Sequence, residues 1–216
     1  MKKPPDPRVT ECLKRAAEWR LIGLLFERPR EGWAEEVASV AGEVTDETLR
    51  EAAAATGEAT EGIYHTLLGP GGPAPPREVS YNDSLLPGAI LGRLTAYYAA
   101  FAFAPEREEA PDHVAVQANF MGYLALKEGI ALADGDPDKA AVAAEAAAGF
   151  RDEHLRTIAE PLAFALEQSG MDYLDGAAKA LLARTGPAPV PMGSVPAGSS
   201  AEKDSQEGGC TFLEDE

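Results

Sequence analysis

Along nearly the whole chain the apolar residues recur three and four positions apart rather than two, which is the period of a helix face and not of a strand. Alanine, leucine and glutamate, all strong helix formers, dominate, and clusters of β-branched residues are scarce. Such a chain can bury its apolar residues only by packing helices on one another, so an all-α fold of about nine helices is predicted.

The first helix is predicted from Thr10 to Glu27, with Leu13, Ala16, Ala17, Leu21, Leu24 and Leu25 on one face and Pro29 as its stop. Trp33–Ala41 follows. A third runs from Thr45 or Asp46, either of which can cap, to Thr56 with Gly57 as the stop, and a fourth from Glu58 to Leu68. Gly69-Pro70-Gly71-Gly72-Pro73 cannot be helical, because prolines lack the amide hydrogen and glycines lack the Cβ; turn and extended geometry is predicted as far as Pro75-Pro76. Later helices are predicted at Leu85–Ala104, Asp112–Ala133, Pro137–Gln168 with a break at Gly149 or Pro161, and Asp172–Arg184.

Residues 1–184 are read as one globular helical domain with a hinge near 104–111. From Thr185 to Glu216, 13 of 32 residues are Gly, Pro or Ser, with one lysine against six acids. That composition cannot bury enough apolar surface to order itself, so 185–216 is predicted to be a disordered acidic tail in which Cys210 is incidental.

The formal net charge is -17, and it is unevenly placed: residues 1–30 carry eight Lys/Arg against four Asp/Glu, leaving 11 positive against 32 negative charges downstream. An acidic body repels nucleic-acid phosphates, which argues against that partner, and attracts basic ligands. The same acidity equally serves solubility or an unusual habitat. Two cysteines, Cys12 and Cys210, form no CxxC pair, so neither a disulfide framework nor a cysteine zinc site is indicated and a reducing compartment is expected. There is no run of about 18 apolar residues and no apolar stretch after Met1-Lys2-Lys3, so membrane insertion and export are not expected and the protein is assigned to the cytoplasm.

Catalysis needs a constellation, and none is visible. The histidines His65, His113 and His154 have no second histidine three to five positions away, and HExxH, GxSxG, GxxxxGK[ST] and GxGxxG are all absent. No metal, no cofactor and no enzymatic activity are therefore expected. In Pro111-Asp112-His113, proline presets the backbone and aspartate is assigned to capping the following helix. His113 in the first turn is expected to be neutral, able to accept and donate one hydrogen bond each.

The segment Tyr64-His65-Thr66-Leu67-Leu68-Gly69-Pro70, followed by Pro75-Pro76-Arg77-Glu78-Val79-Ser80-Tyr81, resembles the aromatic-x-x-Leu-Phe-x-Gly-Pro loop and Pro-rich, Ser-Tyr stretch of the TorD/DmsD/NarJ molybdoenzyme maturation chaperones. Pro111-Asp112-His113, with Phe120-Met121 on the same helix, is similar to that family's Pro-Asp-His motif, and Phe150-Arg151-Asp152-Glu153-His154-Leu155 to its later Phe-Leu-x-x-His-Leu stretch. Order and spacing agree from about Gly62 to Gln168, roughly half the chain. Leu68 stands for the commoner Phe, Arg77 where some relatives carry Trp, Gln117 where an acid is common, and Ile158 near where an aromatic often follows His-Leu.

The resemblance implies a chaperone whose partner is the catalytic subunit of a molybdopterin-dependent oxidoreductase, held by its N-terminal leader, often a twin-arginine signal, until the cofactor is inserted. It implies a peptide site in which Tyr64, Leu67 and Leu68 wall a groove, Gly69, Pro70 and Pro76 shape its lip with Arg77, Glu78, Ser80 and Tyr81 beyond, and Asp112, His113 and Gln117 line its polar end. Core packing is the competing reading for Tyr64, Leu67 and Leu68. Arg77 would oppose a basic leader unless a neighbouring acid such as Glu78 neutralises it. Two alternatives stay open: an assembly factor for a nitrate-reductase-like subunit without an export leader, and a small helical enzyme using Asp112 and His113 as an acid-base pair. A monomer and a dimer formed by exchanging helices are both compatible with the family.

Overall fold

The computed structural model describes residues 6–82, 85–105 and 109–188, and these hold nine α-helices: α1 (Pro7–Leu25), α2 (Trp33–Ala41), α3 (Glu47–Ala54), α4 (Glu61–Leu68), α5 (Pro87–Ala100), α6 (Val114–Ala133), α7 (Pro137–Phe150), α8 (Arg156–Glu167) and α9 (Asp172–Thr185). The fold is all-α, as the periodicity requires, and among the described residues the only β-type pairing is one isolated bridge. No helix of the described residues is long and apolar enough to cross a membrane. The predicted tail, Cys210 included, lies outside the described residues from 189 onward, and the predicted hinge includes residues 106–108, which also lie outside them.

The innermost helix is α6, because its apolar residues are not confined to one stripe: Val114, Ala118, Phe120 and Leu124 point in different directions and are all fully buried. One side of α6 receives α1, running antiparallel, and another receives α7. Small residues set the α1–α6 distance. A Cβ added to Gly122 would lie 3.1 Å from the Ala16 carbonyl oxygen, one on Gly129 would lie 3.1 Å from the Cys12 Cβ, and one on Gly23 would run into the Asn119 side chain. A third side carries an aromatic cluster centred on Phe120, whose ring lies 4.9 Å from Tyr98 and 4.8 Å from Phe150. Helices α3, α8 and α9 close the body, with Trp33 wedged edge-on to Tyr173 at 6.0 Å while its ring N–H donates to the Leu24 carbonyl at 2.8 Å.

Helix ends follow local chemistry closely enough to explain where prediction and structure differ. Asp46 caps α3 by accepting from the Leu49 N–H at 2.9 Å, as predicted. The first helix starts earlier, at Pro7, because Asp6 accepts from the Arg8 N–H. It ends at Leu25, before Pro29 acts. The fourth starts at Glu61 rather than Glu58 because the Thr60 hydroxyl caps it, and Ala55–Glu58 is a 3-10 turn instead. The break predicted at Gly149 or Pro161 is replaced by a π turn at Arg151–Leu155, and Pro161 sits inside α8. A π turn widens the helix by one residue without interrupting it.

The close approach of α1 and α6 makes their interface intolerant of branching. Gly122→Val is expected to lower the unfolding free energy by about 1–3 kcal/mol in denaturant titration, whereas Phe164→Ala, at a side chain 69% exposed, is expected to stay within about 0.5 kcal/mol.

Candidate functional site

Helix α4 runs into Gly69–Pro73, where the backbone cannot stay helical, so its last carbonyls need other partners. The chain supplies them by folding back: the Gly69 N–H donates to the His65 carbonyl at 3.1 Å and the Ala74 N–H to the Leu67 carbonyl at 3.1 Å. A Cβ on Gly69 would collide with the His65 backbone, one on Gly72 with the Leu67 backbone, and Gly71 has φ +82. Ala74 and Pro76 are buried, which pins the far end of the loop.

Beyond the loop, Arg77 pairs with His113 in the isolated antiparallel bridge. The Val114 N–H donates to the Pro76 carbonyl at 2.8 Å and the Glu78 N–H to the Asp112 carbonyl at 3.0 Å. Two sequence motifs 35 positions apart are thereby joined through their backbones. Side chains reinforce the joint. The Asp112 carboxylate has no exposure, and it accepts from the Arg77 guanidinium at 2.9 and 2.8 Å and from the Val79 N–H at 3.3 Å.

This corrects two sequence assignments. Asp112 does not cap α6; His113 does, its Nδ1 accepting from the Ala115 N–H at 3.1 Å, and Asp112 is thereby free to hold the loop. The acid that neutralises Arg77 is Asp112 rather than Glu78. With Nδ1 accepting, the ring proton of neutral His113 lies on Nε2, which donates to the Tyr64 hydroxyl oxygen at 3.1 Å. Burial pushes the His113 pKa down to about 4, outweighing the opposing pull of Asp112.

Glu78, 1% exposed, instead accepts from the Gln117 side-chain amide at 2.8 Å and faces His154 Nδ1 at 3.1 Å. His154 lies in the π turn, so the carboxylate ties the loop to the α7–α8 junction as well as to α6. The Tyr98 hydroxyl donates to the Pro111 carbonyl at 2.7 Å and steadies the approach to α6.

The residues singled out from sequence are therefore brought to one region but divide by accessibility. Tyr64, Leu68, Gly69, Pro76, Glu78, Asp112, His113 and Gln117 are buried, whereas Leu67, Pro70, Arg77, Ser80 and Tyr81 reach solvent at least in part. His154 was absent from the assigned site although its stretch matched a motif; only its position four residues after Phe150, on a buried face, signals its partnership. Among the described residues no group of three His, Cys, Asp or Glu is placed to hold a metal ion.

A family model described as nitrate reductase delta subunit matches residues 30–163, more than half of the 216-residue chain and all of the motif segments above. The chain belongs to that family. The resemblance to the TorD/NarJ-type maturation chaperones is borne out, and the protein is a nitrate-reductase-associated maturation chaperone in the general sense, from a family of assembly factors rather than catalysts. No curated protein matches the chain significantly.

The depressed pKa of His113 sets a pH signature for this chaperone. The unfolded chain takes up the proton near pH 6.5 and the folded one only near 4, so unfolding free energy is expected to fall as pH drops through that window, by about 3 kcal/mol in all. Chemical denaturation at a series of pH values between 7.5 and 4 checks this, with His113→Gln expected to flatten the fall.

Proposed function

We propose that the protein acts in the cytoplasm as a dedicated chaperone that binds the N-terminal segment of a molybdoenzyme catalytic subunit and holds it until the cofactor is in place. The observation that carries this reading is that one family match spans the Gly-Pro loop, the Pro-Asp-His motif and the later histidine, and that hydrogen bonds unite all three. The physical logic is that of a preorganised receptor: the more rigid the loop before binding, the less ordering entropy association must overcome.

In this reading the partly exposed Leu67, Pro70, Arg77, Ser80 and Tyr81 meet the peptide, and the buried Tyr64, Leu68, Gly69, Pro76, Glu78, Asp112, His113 and Gln117 position them. The body, residues 1–184, does the binding, and the acidic 185–216 is dispensable for it. An acidic surface draws in a basic segment by long-range attraction and an apolar surface retains it.

A second reading concerns the client. The Arg77 side chain is 43% exposed beside the lip, and although Asp112 balances its charge, that placement suits a leader without paired arginines better than one with them. A nitrate-reductase-like catalytic subunit that is not exported would fit this feature.

Copurification tests the proposal. The tagged chain is expected to retain the catalytic subunit of a neighbouring molybdoenzyme, and removal of that subunit's first residues is expected to abolish retention. In calorimetric titration with the matching peptide, Leu67→Ala is expected to weaken binding by about 1–2 kcal/mol with the fold intact, and an unchanged affinity would contradict the lip assignment. Two consecutive arginines ahead of an apolar run in the client would favour the exported class over the second reading.

A further inference from the structure

A groove of about 640 Å3 separates α1 from α6, with Ala16, Ala115 and Gly122 as its floor and Leu126 at one end. Past that end, large apolar side chains come to the surface. Leu126 and Ile130 stand one turn apart on α6, and the seam, in which Cys12 faces Gly129 and Ala16 faces Gly122, brings Leu13 of α1 level with them. Leu13, Leu126 and Ile130 are 51%, 41% and 59% exposed, which leaves one apolar patch at the surface.

Charge sets this patch apart. Lys14, Arg50, Arg93 and Lys127 make no ion pair with a described residue, whereas every other described Lys and Arg does. Lys14 follows Leu13 and Lys127 follows Leu126, so two of these cations flank the patch; Lys127 lies over the Tyr123 ring, 5.1 Å from its centre. The neighbouring acids are turned away. Glu128 is held by Arg15 at 2.6 Å and, with Glu11, lines a separate hollow beside Cys12. Asp134 is one turn beyond Ile130, at the opposite end from the lysines. The other exposed large apolar side chains stand singly. Phe164 has Glu160 and Glu167 one turn away on either side, Val142 has Asp138 and Glu145, and Leu86 precedes α5, where Arg93 is two turns on.

An apolar patch flanked by two uncompensated lysines fits a segment of large apolar side chains joined to acids. The chain carries such a segment itself. Beyond Ala188 the only place where two large apolar residues adjoin is Phe212-Leu213, and Glu214-Asp215-Glu216 follows directly. Residues 1–30, from which Leu13 and Lys14 come, carry eight Lys/Arg against four Asp/Glu, and residues 185–216 carry one Lys against six acids, so the two stretches are opposite in sign. The described chain leaves the body on α8, where Arg156 donates to the Pro187 carbonyl at 3.2 Å and the Glu160 carboxylate accepts from the Ala188 N–H at 3.1 Å. From Ala188 to Phe212 is 24 positions. A random-coil link of that length spans about 27 Å on average and about 80 Å at full stretch, against a radius of gyration of about 16 Å for a body of this size. Reach therefore does not choose the seat; chemistry does. The lip is the poorer seat, because its cation, Arg77, is already held by Asp112.

We infer that residues 210–216 dock in cis on the patch formed by Leu13, Leu126 and Ile130, with Phe212 and Leu213 covering its apolar side chains and Glu214, Asp215 and Glu216 meeting Lys14 and Lys127. Tethering supplies a local concentration on the order of 1 mM, so a contact too weak to hold a free peptide is still populated. The docked segment shields apolar surface that would otherwise promote self-association. This goes beyond the proposed function and does not depend on the client.

Paramagnetic broadening in NMR tests this on the full chain, with a nitroxide on Cys210 and Cys12→Ser removing the other thiol. The methyl signals of Leu13, Leu126 and Ile130 are expected to broaden, and those of Leu67 and Val79 at the lip to stay sharp. Phe212→Ser with Leu213→Ser is expected to abolish the broadening. Lys14→Gln with Lys127→Gln is expected to reduce the docked population about three-fold at low salt and to have little effect at high salt. A mixture of nitroxide-bearing chains with isotope-enriched chains lacking the label is expected to show no broadening, since the contact is within one chain. A second measurement needs no label: removal of residues 210–216 is expected to shift the same three sets of methyl signals and to increase binding of an apolar dye, and Ile130→Ser to cancel that increase. Broadening at the lip instead of the patch, broadening that survives the Phe212 and Leu213 substitutions, or broadening that arises only in the mixture overturns the inference. Unshifted signals after removal of 210–216 overturn it as well. Retention of a client subunit is read separately, so the proposed function stands or falls on its own.

Discussion

The carboxylate of Asp112 is the point on which this architecture turns. It is fully buried at the entrance to the most buried helix of the molecule, and an uncompensated charge there would cost several kcal/mol. Its partners, the Arg77 guanidinium and the Val79 N–H, come from a segment whose only regular secondary structure is a 3-10 turn at Glu78–Ser80. The charge and the loop therefore depend on each other: without the loop Asp112 lacks partners, and without the Asp112 carboxylate Arg77 and the Val79 N–H lose theirs, leaving the Pro76–Val114 and Glu78–Asp112 backbone bonds and the Glu78 contacts to Gln117 and His154.

Glu78 repeats this arrangement one step further along. A replacement of such buried groups by apolar side chains would often be neutral or stabilising, so stability alone does not account for them. What polar partners add is direction. Gln117 and His154 can both serve Glu78 only when the loop, α6 and the π turn hold one particular arrangement, whereas apolar contacts would tolerate several. A receptor for an extended or helical segment gains from that single arrangement, because the lip is then shaped before its ligand arrives.

Much of this was legible in the sequence, and the pattern of what was not is physical. Helices were readable because their period is local; α2 appears at Trp33–Ala41, its predicted bounds. Ends were less so, because capping is a competition among neighbours: Thr60 displaced Glu58 as a start, and His113 displaced Asp112 as a cap. Which acid serves which base was not readable at all. Arg77 and Glu78 are adjacent in sequence, yet on a bridged strand successive side chains point to opposite sides, so Arg77 meets Asp112 while Glu78 turns to Gln117 and His154. The α1–α6 groove left no motif, because its floor is alanine and glycine, residues whose role there is to leave space.

Tyr64 carries the same logic to α4. Burial raises its hydroxyl pKa, and the next largest contribution in the same direction comes from Glu109, which lines the groove. Tyr64 in turn accepts the His113 ring proton, and His113 caps α6 and is bridged to Arg77. The hydrogen bonds from His113 to Tyr64 and from Ala115 to His113, with the bridge to Arg77, thus form one run from α4 through the start of α6 to the lip. Because each of these links is directional, the run holds only while α4, the start of α6 and the lip keep one arrangement.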